Sequence, residues 1–302
     1  MPCVHDMGEG EWEHLIHQLR TGDCTPFLGS GACAGTLPTG RSLSRQMAVR
    51  WGYPYKDDHD LPRVAQFATM KYGEAVYVKK QVCAELGVGG PPDFLDPLEP
   101  HGLLARFPVP VYLTTNYDDF IFKSLKAVGK QPNTALCPWN EGMEYDEELF
   151  GSEAGWNPHR DAPLVYHLHG SLQDPKSMVL AEDDYLEFLT SLAAEGGRTA
   201  PRMLPPAILA ALTQRPLLFI GYSLQDWTFR VMFGALLRAV PGINRRRNVS
   251  VQLVPTPDIT RAEMQEMQRQ IARYYEQWRI SIFWGTAAEF CAELRRRMGT
   301  VP

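Results

Sequence analysis

The 302-residue sequence has no paired cysteines, no long uninterrupted apolar run and no excess of positive charge. Its six cysteines, Cys3, Cys24, Cys33, Cys83, Cys137 and Cys291, include no C-x-x-C pair. That excludes the usual zinc-ribbon spacing and offers no disulfide framework, so the sequence reads as a reduced, cytoplasmic protein, and a chain of this length buries enough core to fold without disulfides or metal. Lys and Arg total 30 against 35 Asp and Glu, a net charge of −5, which argues against a dedicated nucleic-acid binder. The most apolar stretch, 207–222, is interrupted by Gln214, Arg215 and Pro216 and is too short to span a bilayer. The first residues carry acidic side chains and no apolar core, unlike a signal peptide. No G-K-[ST] follows any glycine loop, so P-loop phosphate chemistry is not expected. Internal repeats and low-complexity tracts are also lacking.

The remaining composition, 44% hydrophobic and 22% charged, is that of a globular protein. Short runs that are apolar throughout predict strands at 25–28, 109–113, 164–168, 216–220, 249–254 and 280–284. Between them lie helical patterns at 11–20, 42–51, 119–128, 182–194, 205–212, 227–240, 260–277 and 287–298. Ser42 is the expected cap of the second of these, and Asp118 or Asp119 of the third. Residues 61–86 carry one helical periodicity, 87–100 are rich in Gly and Pro, and 132–157 are irregular and acidic. Strands apolar on both faces, alternating with helices, predict an α/β fold: a Rossmann-like parallel sheet with helices on both faces. The expected organisation is one domain, with a core at about 22–51 and 101–302 and a helical insertion at about 52–100. The amphipathic helix at 260–277, with Met264, Met267, Ile271, Tyr274, Tyr275 and Trp278 nearby, is expected to pack on the sheet or on a partner. Arg245–Arg247 reads as a solvated loop, and Arg295–Arg297 as a complement to a helix C-terminus.

Four predicted strands end in small or polar clusters: Gly29-Ser30-Gly31-Ala32, Thr114-Thr115-Asn116-Tyr117-Asp118, His167-Leu168-His169-Gly170-Ser171, and Gly221-Tyr222-Ser223-Leu224-Gln225-Asp226. Ligands of open α/β sheets bind beyond the carboxyl ends of the strands, so one shared site is expected there. Each cluster also has a structural explanation. The glycine loop is an incomplete G-x-G-x-x-G, with Gly35 one position too late, and could be an ordinary turn. Asn116 and Asp118 suit Asx-turns and caps, and Asp226 suits the cap of the following helix. His167 and His169 are read as lying on opposite sides of a strand end, which disfavours a metal pair, and no third ligand is evident. Histidine is also the side chain most easily poised as a general base near neutral pH.

The order and spacing of these four clusters resemble the sirtuin-like family, and within it the zinc-less branch found in bacterial antiphage defence proteins. The resemblance runs from about Phe27 to about Trp284. It implies a domain that binds NAD, with Gly29, Ser30, Gly31 and Ala32 as the dinucleotide loop and Thr115, Asn116 and Asp118 near the nicotinamide ribose. His169 matches the catalytic histidine, and Gly221 and Ser223 match the loop that holds the adenosine-side ribose and phosphate. The family's protein deacylases carry two cysteine pairs after the catalytic histidine, whereas here the next cysteine after His169 is Cys291. The resemblance therefore implies NAD hydrolysis, with NAD as substrate, Asn116, Asp118 and His169 as catalytic residues, and no metal. It further implies a gated antiphage effector that depletes NAD when triggered by homo-oligomer assembly or by a partner defence protein, such as a helicase-type ATPase or a short Argonaute. A non-catalytic NAD or ADP-ribose sensor, or an ADP-ribosyl- or acyl-transferring enzyme, is the alternative. Direct contact with nucleic acid or membrane is not expected.

Overall fold

The computed structural model describes residues 7–150, 157–195, 203–223, 227–239, 246–253 and 260–299. Seven strands form a single sheet in which every pairing is parallel. In chain order they are β1 Thr25–Leu28, β2 Val111–Thr114, β3 Asn133–Leu136, β4 Leu164–His167, β5 Leu217–Ile220, β6 Asn248–Gln252 and β7 Ile280–Trp284. Their order across the sheet is β3-β4-β2-β1-β5-β6-β7. From β1 the chain adds β2, then β3 at the edge and β4 between them, then crosses back to add β5 on the other side of β1. That reversal is the topological switch point at which α/β sheets open a crevice for ligands.

Six of the seven strands were expected. The exception is β3, inside the stretch read as irregular. Its burial alternates weakly and it lies at the sheet edge, so it lacks the apolar run that marks the others. The central strands are apolar on both faces because each face meets a different core. Phe27, Leu113, Tyr166 and Phe219 point into one cluster, and Leu28, Tyr112, Val165, Leu218 and Ile220 into another. The first cluster is closed by the helices Glu182–Glu195, Pro206–Gln214 and Trp227–Ala239, and the second by Glu9–Thr21, Pro100–Ala105, Phe120–Ala127 and Ala287–Met298.

These helices are α1 Glu9–Thr21, α2 Gly40–Trp51, α3 Leu61–Tyr72, α4 Ala75–Leu86, α5 Pro100–Ala105, α6 Phe120–Ala127, α7 Glu147–Phe150, α8 Glu182–Glu195, α9 Pro206–Gln214, α10 Trp227–Ala239, α11 Arg261–Glu276 and α12 Ala287–Met298. The cap of α2 is Thr39, whose hydroxyl accepts from Ser42 N at 3.4 Å; Ser42, the expected cap, lies inside the helix. The single periodicity at 61–86 is two helices, because Gly73 adopts a left-handed φ of 72° and closes α3. In the Gly/Pro-rich stretch, Pro100 starts α5 and Glu99 caps it, accepting from Gly102 N at 2.5 Å. The helices α2, α3 and α4 share a third cluster with Met178, Leu180 and Ala181, and so form a cap beside the carboxyl edge of β4.

The amphipathic helix α11 turns Ile271, Ala272 and Tyr275 onto the first cluster, where Trp278 also packs. Arginines of both runs are engaged in ion pairs. Arg246 meets Asp23 at 2.7 Å, Arg247 meets Glu276 at 2.7 Å, and Arg296 meets Glu293 at 2.6 Å. Arg245 lies outside the described residues. No helix among the described residues is long and apolar enough to cross a membrane.

Candidate active site

The four strands that end in polar clusters are consecutive in the sheet, in the order β4-β2-β1-β5. Because all are parallel, Gly29, Asn116, His169 and Gly221 come to one carboxyl edge from positions up to about 190 residues apart in sequence.

After β1 the chain makes one turn of 3₁₀ helix, Ser30–Cys33. The anion-cradle reading of this loop takes its N–H groups as free. In the structure Gly29 N donates to Ile220 O, Gly31 N to Gly221 O and Ala32 N to Gly29 O, each at 2.9 Å. The glycines instead allow the loops after β1 and β5 to touch. Gly221 has φ 86°, and a Cβ there would overlap Ala32 N and Gly29 O. Ser30 is exposed and Ser223 is exposed. Leu224, Gln225 and Asp226, including the expected cap, lie outside the described residues.

Asn116 is held from three sides. Its backbone N–H donates to Thr114 Oγ1 at 2.9 Å, and its side-chain Nδ2 donates to Gly29 O at 3.1 Å and to Cys33 Sγ at 3.2 Å. Asp118 Oδ1 accepts from Phe120 N at 3.0 Å, so Asp118, rather than Asp119, satisfies the start of α6. Asp119 pairs with Lys123 at 2.9 Å. The second carboxylate oxygen of Asp118 accepts from Cys33 Sγ at 3.2 Å. Burial and the neighbouring Asp118 carboxylate push the Cys33 thiol well above its usual range, so it is a protonated donor.

An unbroken strand would place His167 and His169 on the same face, since alternate residues share a side. The expectation of opposite sides therefore misapplies strand alternation. It is the turn at Leu168–His169 that gives the two rings different surroundings. His167 Nδ1 lies 3.2 Å from Asn116 O, and burial lowers its pKa. His169 stands edge-on to Phe188 at 5.0 Å and to Tyr185 at 5.4 Å. Burial lowers its pKa to about 3. Its Nε2 is buried and has no hydrogen-bond partner among the described residues. Gly170, with φ 83°, packs so tightly on Ser177 O that a side chain would overlap it, and this fixes the turn that carries His169. Asn116, Asp118 and His169 are only 8%, 7% and 6% exposed, so the site is closed in this structure.

Several residues at the site were not singled out from the sequence. Tyr222 Oη donates to Leu28 O at 2.9 Å and lies 2.8 Å from Thr115 Oγ1, spanning the ends of β1 and β2. Tyr117 Oη donates to Val179 O at 2.7 Å and ties the β2 loop to the segment after β4. Cys33, Glu99 and His101 form a buried polar group behind Asp118. Cys33 could have been noticed from its place in the glycine loop; Glu99 and His101 carry no local signal.

A family model for the SIR2-like domain matches residues 110–283, more than half of the chain. The match includes Asn116, Asp118, His169, Gly221 and Ser223 and begins after the glycine loop. Among curated proteins, NAD(+) hydrolase ThsA of Cytobacillus dafuensis is 27% identical over 220 residues, covering 71% of this chain and 38% of that protein. NAD(+) hydrolase ThsA of Acinetobacter baumannii is 23% identical over 218 residues, with 71% and 39% covered. NAD(+) hydrolase ThsA of Bacillus cereus is 30% identical over 134 residues, with 44% and 23% covered. The first two matches span about two fifths of the length of those relatives. With its parallel sheet and its strand-end motifs, the chain belongs to the SIR2-like, or sirtuin-like, family.

Proposed function

We propose that this chain cleaves NAD at the bond between nicotinamide and ribose, releasing nicotinamide and ADP-ribose. The observation that carries the reading is the buried, unpartnered Nε2 of His169 on the same sheet edge as Asn116. An unpaired buried nitrogen costs roughly 1–3 kcal/mol, which a bound hydroxyl or water would relieve. The similarity to proteins named NAD(+) hydrolase supports the same substrate.

The transition state of this reaction is oxocarbenium-like, so the site must favour positive charge at the anomeric carbon and position a nucleophile. In this reading Asn116 holds the water or a ribose hydroxyl through its amide. His169 is neutral at physiological pH and accepts a proton through Nε2. Both oxygens of Asp118 are taken by Phe120 N and Cys33, so it contributes negative charge and, through Cys33, the orientation of Asn116. Thr115, Ser30, Ala32 and Ser223, with Gly29, Gly31 and Gly221, surround the dinucleotide. The chain acts as one NAD-binding unit, with residues of about 52–100 as a helical insertion beside the site.

The burial of Asn116, Asp118 and His169 supports a gated enzyme, opened by self-assembly or by a partner defence protein. The biological role that fits is a cytoplasmic antiphage effector that depletes NAD. The test is incubation with NAD, alone and with the neighbouring encoded protein, followed by chromatography. Nicotinamide release is expected, and it should fall by about 10²–10⁴-fold in His169→Ala, with the circular-dichroism spectrum unchanged. Full activity in a folded His169→Ala protein would remove His169 from the mechanism. NAD binding without product under every condition would make the chain a sensor.

A further inference from the structure

Beside Asp118, which the proposed function places at the catalytic site, lies a buried group of Cys33, Glu99 and His101, of which Glu99 and His101 take no part in the proposed cleavage. Cys33 Sγ, a ring nitrogen of His101 and a carboxylate oxygen of Asp118 all lie within 4.8 Å of one another. Cys33 Sγ is 3.2 Å from Asp118 Oδ2 and 4.0 Å from His101 Nε2. The three residues are 4%, 1% and 7% exposed. We propose that Cys33, His101 and Asp118 bind a single thiophilic divalent cation, with Zn²⁺ the ion their chemistry selects.

The donor set is one thiol, one imidazole and one carboxylate, which suits zinc and not the oxygen-seeking Mg²⁺ or Ca²⁺. With bonds of about 2.0–2.3 Å, a tetrahedral zinc spaces its ligand atoms at roughly 3.3–3.8 Å, and the observed separations bracket that range. Two surrounding groups orient the ligands as metal sites require. His101 Nδ1 is 2.5 Å from Glu99 Oε1, which turns Nε2 toward Cys33. Asn116 Nδ2 donates to Cys33 Sγ, a bond that a metal-bound thiolate accepts better than a thiol.

Charge supplies an independent argument. Glu99 and Asp118 are two buried carboxylates facing one imidazole, and among the described residues neither pairs with a lysine or arginine. Two carboxyl groups and a thiol around one imidazole form a donor set that a cation would complement. Leu37, Phe94 and Phe120 pack around Cys33 and exclude water from that side. On binding, Zn²⁺ takes the place of the thiol proton between Cys33 Sγ and Asp118 Oδ2, and the proton leaves to solvent. The ligands come from residues 33, 101 and 118, so no sequence spacing announces the site.

The inference concerns metal binding alone, and its readouts do not depend on NAD cleavage. The full chain would be stripped with a chelator, dialysed and titrated with Co²⁺. A single ion per chain with a thiolate-to-cobalt charge-transfer band is expected. The band should vanish in Cys33→Ala, and Glu99→Gln should weaken binding by about 10–100-fold. As a control for misfolded variants, X-ray absorption of the zinc-loaded wild-type chain should show one sulfur at about 2.3 Å, with the remaining ligands nitrogen or oxygen at about 2.0–2.2 Å. Failure to retain an ion, an undiminished band in Cys33→Ala, or a zinc shell without sulfur would overturn the proposal.

Discussion

At the scale of single residues, His169 is a buried imidazole whose pKa burial lowers to about 3. The sign of its effect on stability follows directly. The unfolded imidazole binds a proton at about 6.5, whereas the folded one resists it until about 3. Its contribution is therefore complete above about pH 6.5 and is lost progressively as the pH falls toward 3. His167 is shifted in the same direction by its own burial. His169→Gln should flatten the decline of Tm between pH 6.5 and 4, as measured by circular dichroism across that range; an unchanged slope would mean that other groups set the acid sensitivity.

Gly221 makes a second residue-scale case. Its left-handed backbone costs an L-residue about 1–2 kcal/mol, and the overlap of a Cβ with Ala32 N adds to that. Gly221→Ala should lower Tm by several degrees and loosen the loop after β1, whereas Gly35→Ala, with open space around it, should pay only the backbone term.

At the scale of elements, the helical cap is fastened to the sheet layer by one buried ion pair. Lys79 on α4 meets Asp184 on α8 at 2.8 Å, and both side chains are largely buried. Asp184 Oδ2 also accepts from Leu180 N and Ala181 N at 2.9 Å each, which holds the segment that follows His169. Lys79→Ala leaves a buried carboxylate with only those two partners. A loss toward the lower end of the roughly 3–5 kcal/mol typical of broken buried pairs is expected in a denaturant titration. Lys79→Met, which keeps an apolar side chain of similar length although it loses the ammonium 5.4 Å from the Trp139 ring centroid, should lose less. Equal losses in the two variants would assign the effect to packing and not to charge.

The elements also show where local pattern stops being informative. The expected boundaries of α12 and β7 coincide with those observed, because both stand between clear stop signals. The edge strand β3 was missed because a strand with one neighbour need not be apolar on both faces. The break at Gly73 was missed because the helical period resumes after it almost in phase, and the Thr39 cap because Ser42 offers the same chemistry three residues later.

At the scale of the whole molecule, under the proposed function the closed site predicts dependence on assembly. Under the proposed function, nicotinamide release per chain should rise with protein concentration or on addition of the partner, in step with the mass of the complex seen by native mass spectrometry. Constant activity in a strict monomer would exclude gating by assembly.

The sequence by itself determined the class of fold and the position of the polar strand ends. Both are encoded locally: short runs apolar throughout, bounded by turn residues and alternating with helices, suit strands buried on two faces, and a glycine, asparagine or histidine after such a strand falls at the carboxyl edge. Tertiary structure alone decided which strand ends are neighbours, since sheet order places β5 beside β1 across about 190 residues of chain. It also decided that the glycine N–H groups serve Ile220 and Gly221, and that Cys33, His101 and Asp118 converge. Such contacts join residues that are distant along the chain, and no periodicity records them. They arise from packing, which brings together groups whose only common property is that burial leaves each in need of a partner.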